Sequence, residues 1–138
     1  MAKQTFTTGQ VLTAAQMTSL QQTAMGGGST TAKTVSYTLV AADAGTVVQM
    51  NSASATTITV NTGLFAAGDT VQIQNIGAGV CTVTAGTATV SGAGLALSQF
   101  QGGTLYFTSA GVSILFTGGG GAVSFDDASN ILATQVFG

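Results

Sequence analysis

Hydrophobic and polar positions change rhythm along the chain, and each change marks off a zone. In the first zone Met17, Leu20 and Ala24 fall at the three- and four-residue steps of one helix face. Thr13 stands as an N-cap, and Gln16 three residues later completes a capping box. Leu12 and Met17 occupy the two positions of a hydrophobic staple, and Gly26-Gly27-Gly28 ends the run. The pattern predicts one helix of about three turns, marginal in isolation and therefore in need of a surface to dock on.

From Thr34 to Thr117 the period drops to two. Strands are predicted at Val35–Val40, Val47–Met50, Thr56–Val60, Thr70–Gln74, Val80–Ala85, Thr87–Ser91, Leu95–Leu97, Thr104–Thr108 and Ser113–Phe116. Turn residues separate them, among them Asp43-Ala44-Gly45, Asn51-Ser52, Asn61-Thr62-Gly63, Gly77-Ala78-Gly79 and Gly92-Ala93-Gly94. Thr70–Gln74 is the cleanest case, with Val71 and Ile73 on one face and Thr70, Gln72 and Gln74 on the other. Strands every ten residues or so suit a sandwich, a barrel or a β-solenoid. Thr-x-Thr-Val recurs at 57–60 and 87–90, but no strict repeat is visible. The expected fold is mainly β, a compact antiparallel β-sandwich or small barrel with a short N-terminal helix and an apolar C-terminal arm.

Four segments follow: an N-terminal anchoring segment with the helix (1–25), a flexible linker (26–33), the β domain (34–117), and a glycine-rich joint with the C-terminal arm (118–138). The arm carries Phe125, Ile131, Leu132, Val136 and Phe137 around Asp126 and Asp127. Its apolar side chains are expected to reach over a neighbouring subunit.

Charge changes the picture most. Only Lys3, Lys33, Asp43, Asp69, Asp126 and Asp127 are charged, 4% of the chain, where about 25% is usual. Two lysines cannot neutralise a phosphate backbone or hold an anionic membrane surface, so neither nucleic acid nor membrane is an expected partner. Mean hydropathy is +0.49, yet every apolar run is broken well short of the roughly 18 residues of a spanning helix. The opening Met-Ala-Lys-Gln-Thr-Phe has no apolar signal-peptide core, which predicts synthesis and retention in a cytoplasm or assembly there. With abundant threonine, twenty glycines and almost no charge, sheet edges and apolar faces need covering by other subunits. An oligomer is expected.

The same scarcity argues against catalysis. The chain has no His and no Glu, so a Ser-His-Asp triad and a Cys-His pair are both impossible. Asp43 and Asp69 each lie next to or near Gly in turns and are expected to cap backbone groups. Asp126 and Asp127 are adjacent and would point to opposite faces of a strand. Cys81 is alone and flanked by Val80, Thr82 and Val83, the setting of a core residue. Neither glycine run has the ending or context of a phosphate loop. No cofactor, metal or catalytic residue is predicted, and the protein is expected not to be an enzyme.

The stretch from Tyr37 to Val60 (YTLVAADAGTVVQMNSASATTITV) and its continuation from Gly68 to Thr84 (GDTVQIQNIGAGVCTVT) resemble a β-rich domain of tailed-bacteriophage virion proteins. The resemblance covers about residues 35–117. The opening FTTGQVLTAAQM at Phe6 to Met17 is similar to the start of phage structural proteins in which such a phrase precedes a short helix. The resemblance implies a virion component made in a bacterial cytoplasm. For so short a chain, it implies a capsid decoration (cement) protein, trimeric, that binds the major capsid protein and stabilises the shell. The alternative is a short head- or tail-fibre subunit contacting the host surface. Anchoring is expected from Phe6, Val11, Leu12, Met17 and Leu20 at one end and from Phe125, Ile131, Leu132, Val136 and Phe137 at the other.

Overall fold

The fold was analysed in a computed structural model, in which residues 5–24 and 31–118 are described. The helix α1 runs Ala14–Ala24. Its capping box is formed as the sequence suggests: the Gln16 backbone N–H donates to Thr13 Oγ1 at 3.2 Å, and the Thr13 N–H donates to Gln16 Oε1 at 2.8 Å.

The strands are β1 (Tyr37–Thr38), β2 (Val47–Met50), β3 (Thr56–Val60), β4 (Thr70–Asn75), β5 (Cys81–Ala85), β6 (Thr89–Gly92), β7 (Ala96–Leu97), β8 (Gln101–Ser109) and β9 (Val112–Thr117). They form two sheets, one ordered β1-β3-β5-β7 and the other β2-β4-β8-β9-β6. Pairing between β1 and β3, β3 and β5, β2 and β4, and β6 and β9 is parallel. Only β4–β8, β5–β7 and β8–β9 pair antiparallel.

The expected antiparallel sandwich or barrel is therefore corrected to a mixed, solenoid-like arrangement. Val47 pairs with Gln72 in one sheet and Thr56 with Cys81 in the other, an advance of 25 residues each time (47 to 72, 56 to 81). Residues 39–63 and 64–88 are thus successive coils. Leu39 and Leu64, Ala41 and Ala66, Gln49 and Gln74, and Thr57 and Thr82 match between them. A strand in such a coil turns a corner into the opposite sheet instead of folding back on its neighbour. Alternation and turn spacing are the same in both geometries, which is why the linear pattern did not separate them. The stacking then stops, because the β8–β9 hairpin lies between β4 and β6 in the second sheet.

Alternation puts one face of each strand into the space between the sheets. Val48, Met50, Val71, Ile73, Leu105, Phe107 and Leu115 come from one side, and Ile58, Val60, Cys81, Val83 and Leu97 from the other. Phe65, from the corner before β4, stacks on Phe107 with centroids 4.2 Å apart. Asn75 is buried among them and satisfied: its Nδ2 donates to the Gly79 and Leu97 carbonyls (2.8 and 2.9 Å), and its Oδ1 accepts the Gly77 N–H at 3.0 Å. Such full pairing removes most of the cost of burying an amide.

The corners of the coils define two rims. At one, Lys33 pairs across Gln49 and Asn51, Ile76 donates to the Met50 carbonyl, and Phe100 donates to the Asn75 carbonyl at 2.7 Å. The last described residues, Thr117 and Gly118, lie at this rim too, since Thr117 pairs with Gly103 at the start of β8. The body begins its pairing at Lys33, inside the segment read as linker; most of that linker lies outside the described residues. At the opposite rim Asp43 and Asp69 do the capping foreseen for them, accepting the Val40 and Ala66 N–H groups at 2.9 and 2.8 Å.

Candidate assembly surface

The residues expected to anchor the N-terminal end are all exposed. Phe6, Val11, Leu12, Met17 and Leu20 each leave about half or more of their surface to solvent. Among the described residues no strand packs extensively on α1, so the docking surface its short length calls for is not supplied by the body. The other five anchoring candidates, Phe125, Ile131, Leu132, Val136 and Phe137, lie outside the described residues.

The structure adds apolar positions that sequence reasoning missed. On the outer face of the second sheet, Tyr106 pairs with Ile114 and Thr104 with Phe116. Val112 opposes Ser109 beside a bulge, and Phe116 is 58% exposed. Apart from the half-buried Val47, the neighbouring part of this face is uncharged and polar: Gln49 Nε2 donates to Gln74 Oε1 at 3.2 Å, and Gln72 Nε2 to Thr104 Oγ1 at 2.8 Å. Alternation in Ser113–Phe116 carried a signal for this, because Ile114 and Phe116 fall on the face opposite Ser113 and Leu115.

Phe100 is the most conspicuous of these positions. Its φ of 64° lies in the left-handed region, where a bulky side chain is strained, and 79% of it faces solvent. The turn is held by the Gln101 N–H to the Ser98 carbonyl (3.0 Å) and the Ser98 N–H to Gln101 Oε1 (2.9 Å). The ring stands between two open depressions. One, of about 450 Å³, is lined by Ala96, Leu97, Gln101, Thr117 and Gly118 among others. The second, of about 290 Å³, is lined by Gln74, Asn75, Ile76 and Gly102. None of these lining residues is charged. The Phe100 N–H is tied to the Asn75 carbonyl, while most of the ring stays open to solvent.

Charge and reactivity concentrate elsewhere. Tyr37 donates its hydroxyl to the Asp43 carboxylate at 3.1 Å, and Lys33 Nζ lies 4.6 Å above the Tyr37 ring. Burial, then the charge of Asp43 and the hydrogen bond to it, raise the Tyr37 pKa. Burial raises the Cys81 pKa as well, and a hydrogen bond with Thr56 only partly offsets this. A buried thiol held in its neutral form is a poor nucleophile. Among the described residues, no three His, Cys, Asp or Glu side chains cluster to hold a metal, and no helix is long and apolar enough to cross a membrane.

No family model, no curated protein and no solved structure matches this chain.

Proposed function

We propose that this protein is a bacteriophage virion structural protein, a capsid decoration (cement) protein that binds the outer shell as a homotrimer and stabilises it. One observation carries the reading. The capped helix α1 and its lead-in present Phe6, Val11, Leu12, Met17 and Leu20 to solvent while the body offers them no cover. Apolar burial contributes about 25 cal/mol per Å², so such contacts, repeated by symmetry on a shell, add up without charge pairing. The resemblance of residues 35–117 to virion β-domains supports a virion role, and the major capsid protein is the partner this reading proposes.

Deletion of residues 1–25 tests it. The truncated chain is expected to keep the melting temperature of the body and to lose binding to the shell. Shell binding that survives intact would sink the anchoring role. Cryo-electron microscopy of particles carrying the protein is expected to place it at capsid symmetry positions. Density confined to the tail would replace this reading with the second one, a short head- or tail-fibre subunit that contacts the host surface. The stacked coils favour that alternative to a degree, since a solenoid flank is an extended binding surface.

A further inference from the structure

We infer that copies of this chain pack on one another through the outer face of the second sheet, with Val112, Ile114 and Phe116 of β9 at the symmetry axis. Exposed apolar side chains are ordinary when scattered singly and informative when contiguous. Here they are contiguous: Ile114 faces Tyr106 across the β8–β9 pair, and Val112 and Phe116 lie two residues to either side of Ile114 on the same face. β8 is the middle strand of its sheet, so the cluster occupies the centre of the face. Around it the face is polar apart from Val47, with Gln49, Gln72 and Gln74 on one side and Thr89 and Ser91 on the other. An apolar centre within a polar rim is the anatomy of a protein–protein interface. The first sheet supplies the contrast. Its outward positions on β3 and β5 are Thr57, Thr59, Thr82 and Thr84, so strand formation by itself does not call for bulky side chains on an outer face.

The chemistry of the face selects another copy of the chain as its occupant. Among the described residues only Lys33, Asp43 and Asp69 are charged. All three belong to the rims, with Lys33 over the Tyr37 ring and the two aspartates on backbone N–H groups. The face therefore has no sign that would repel its own kind or call for a partner of opposite charge. Its polar groups are amides and hydroxyls, which both donate and accept, so each can pair with the same group on a copy. The size is adequate. Five strands about 4.8 Å apart and six residues of about 3.3 Å make a face of about 24 by 20 Å, or about 480 Å² in projection. Two such faces come to about 960 Å² before the relief of the side chains is added, which reaches the area of a specific interface. Around a three-fold axis the β9 stripes of three copies enclose one apolar core. The inference rests on the homotrimer proposed above for that symmetry and owes nothing to the capsid.

Two measurements on the full-length chain test it. The first is mass in solution, by light scattering after gel filtration. Wild type at micromolar concentration is expected at three times the chain mass. Phe116→Lys brings three ammonium groups together at the axis and is expected to raise the concentration for half-assembly at least a hundredfold. Phe116 is exposed within one chain, so the circular dichroism of that variant should match wild type, and Phe116→Leu should stay assembled. A wild-type monomer would overturn both this inference and the homotrimer; an assembly that Phe116→Lys leaves intact would overturn this inference alone. The second measurement keeps the apolar stripe whole. Ser91→Cys, exposed beside Ile114, is expected to join two chains when treated with a short bis-maleimide. Thr38→Cys, exposed on the first sheet, is expected not to, and Cys81 is buried and does not compete. Linkage through Thr38→Cys alone would place the contact on the other sheet. A Ser91→Cys thiol that reacts without joining chains would mean an open face, and one that does not react would mean that another segment of the same chain covers it. Each of these results overturns the inference. Neither readout uses a capsid, so the shell-binding assignment fails separately.

Discussion

Replacing Gly79 by alanine puts a methyl group where two coils touch. The Gly79 N–H donates to the Ser52 carbonyl at 2.8 Å, and the Gly79 carbonyl accepts from Asn75 Nδ2 at 2.8 Å. A Cβ built on Gly79 falls on the Ser54 carbonyl and within 2.9 Å of the Ala55 nitrogen. These are backbone atoms, so no rotamer change makes room and the two coils must separate locally. Overpacking of this kind costs about 1–3 kcal/mol. Loosening the partners of a buried amide adds about 1–3 kcal/mol. A combined loss near 3 kcal/mol, with a urea m-value of about 2 kcal/mol per M, lowers the unfolding midpoint by about 1.5 M. Gly94→Ala is the matched control, because a Cβ there meets nothing within 4 Å and φ is not in the left-handed region. It is expected to stay within about 0.5 kcal/mol of wild type. Urea unfolding followed by far-ultraviolet circular dichroism reads both variants. If their midpoints agree within about 0.3 M, the close stacking of coils at Gly79 is not what holds this part of the body together.

Three further outcomes are expected. Asn75→Ala removes the side chain that pairs with the Gly79 and Leu97 carbonyls and leaves the Gly77 N–H only its longer bond to the Met50 carbonyl; the loss is about 2–4 kcal/mol, read as a fall in melting temperature. Because the folded pKa of Tyr37 is raised, its contribution is complete below the unfolded tyrosine value near pH 10 and is lost as pH rises through the folded value. Stability measured across the alkaline range should therefore fall less steeply in Tyr37→Phe, and identical slopes would contradict the assignment. Cys81 is fully buried with its thiol pKa raised, so iodoacetamide at pH 8 should label it only in denaturant, and rapid labelling of the native protein would show that the site opens.

Strand positions were legible because alternation is a local property. The runs at Val47–Met50 and Thr56–Val60 coincide with β2 and β3, and the Thr13–Gln16 cap is formed as its spacing implies. Sheet membership was not legible, since it depends on whether Asn51–Ala55 and Ile76–Val80 reverse the chain or carry it around a corner. The 25-residue repeat was hidden by its own divergence. Gln49 stacks on Gln74 and Thr57 on Thr82, but Met50 stacks on Asn75 and Val60 on Ala85, so matching positions are interrupted by others that differ in polarity or size. Coil-to-coil hydrogen bonding conserves backbone position, and the side chains are free to differ wherever the core repacks. The candidate surface was half visible: Leu12, Met17 and Leu20 stand out from helical spacing. Phe100 does not, because nothing in Ser98-Gln99-Phe100-Gln101 announces a left-handed turn.

The 25-residue advance from β2 to β4 and from β3 to β5 makes this part of the body a ruler. Each added turn contributes one strand to each sheet and so lengthens the molecule by one interstrand spacing, about 4.8 Å. Duplicating residues 39–63 in frame would lengthen this rim and carry Phe100 one such step further along it from Lys33. The β8–β9 hairpin would still terminate the stack. The distance along the rim between Lys33 and Phe100 is thus graduated in units of one coil, and lengthening it leaves both ends of the stack unchanged.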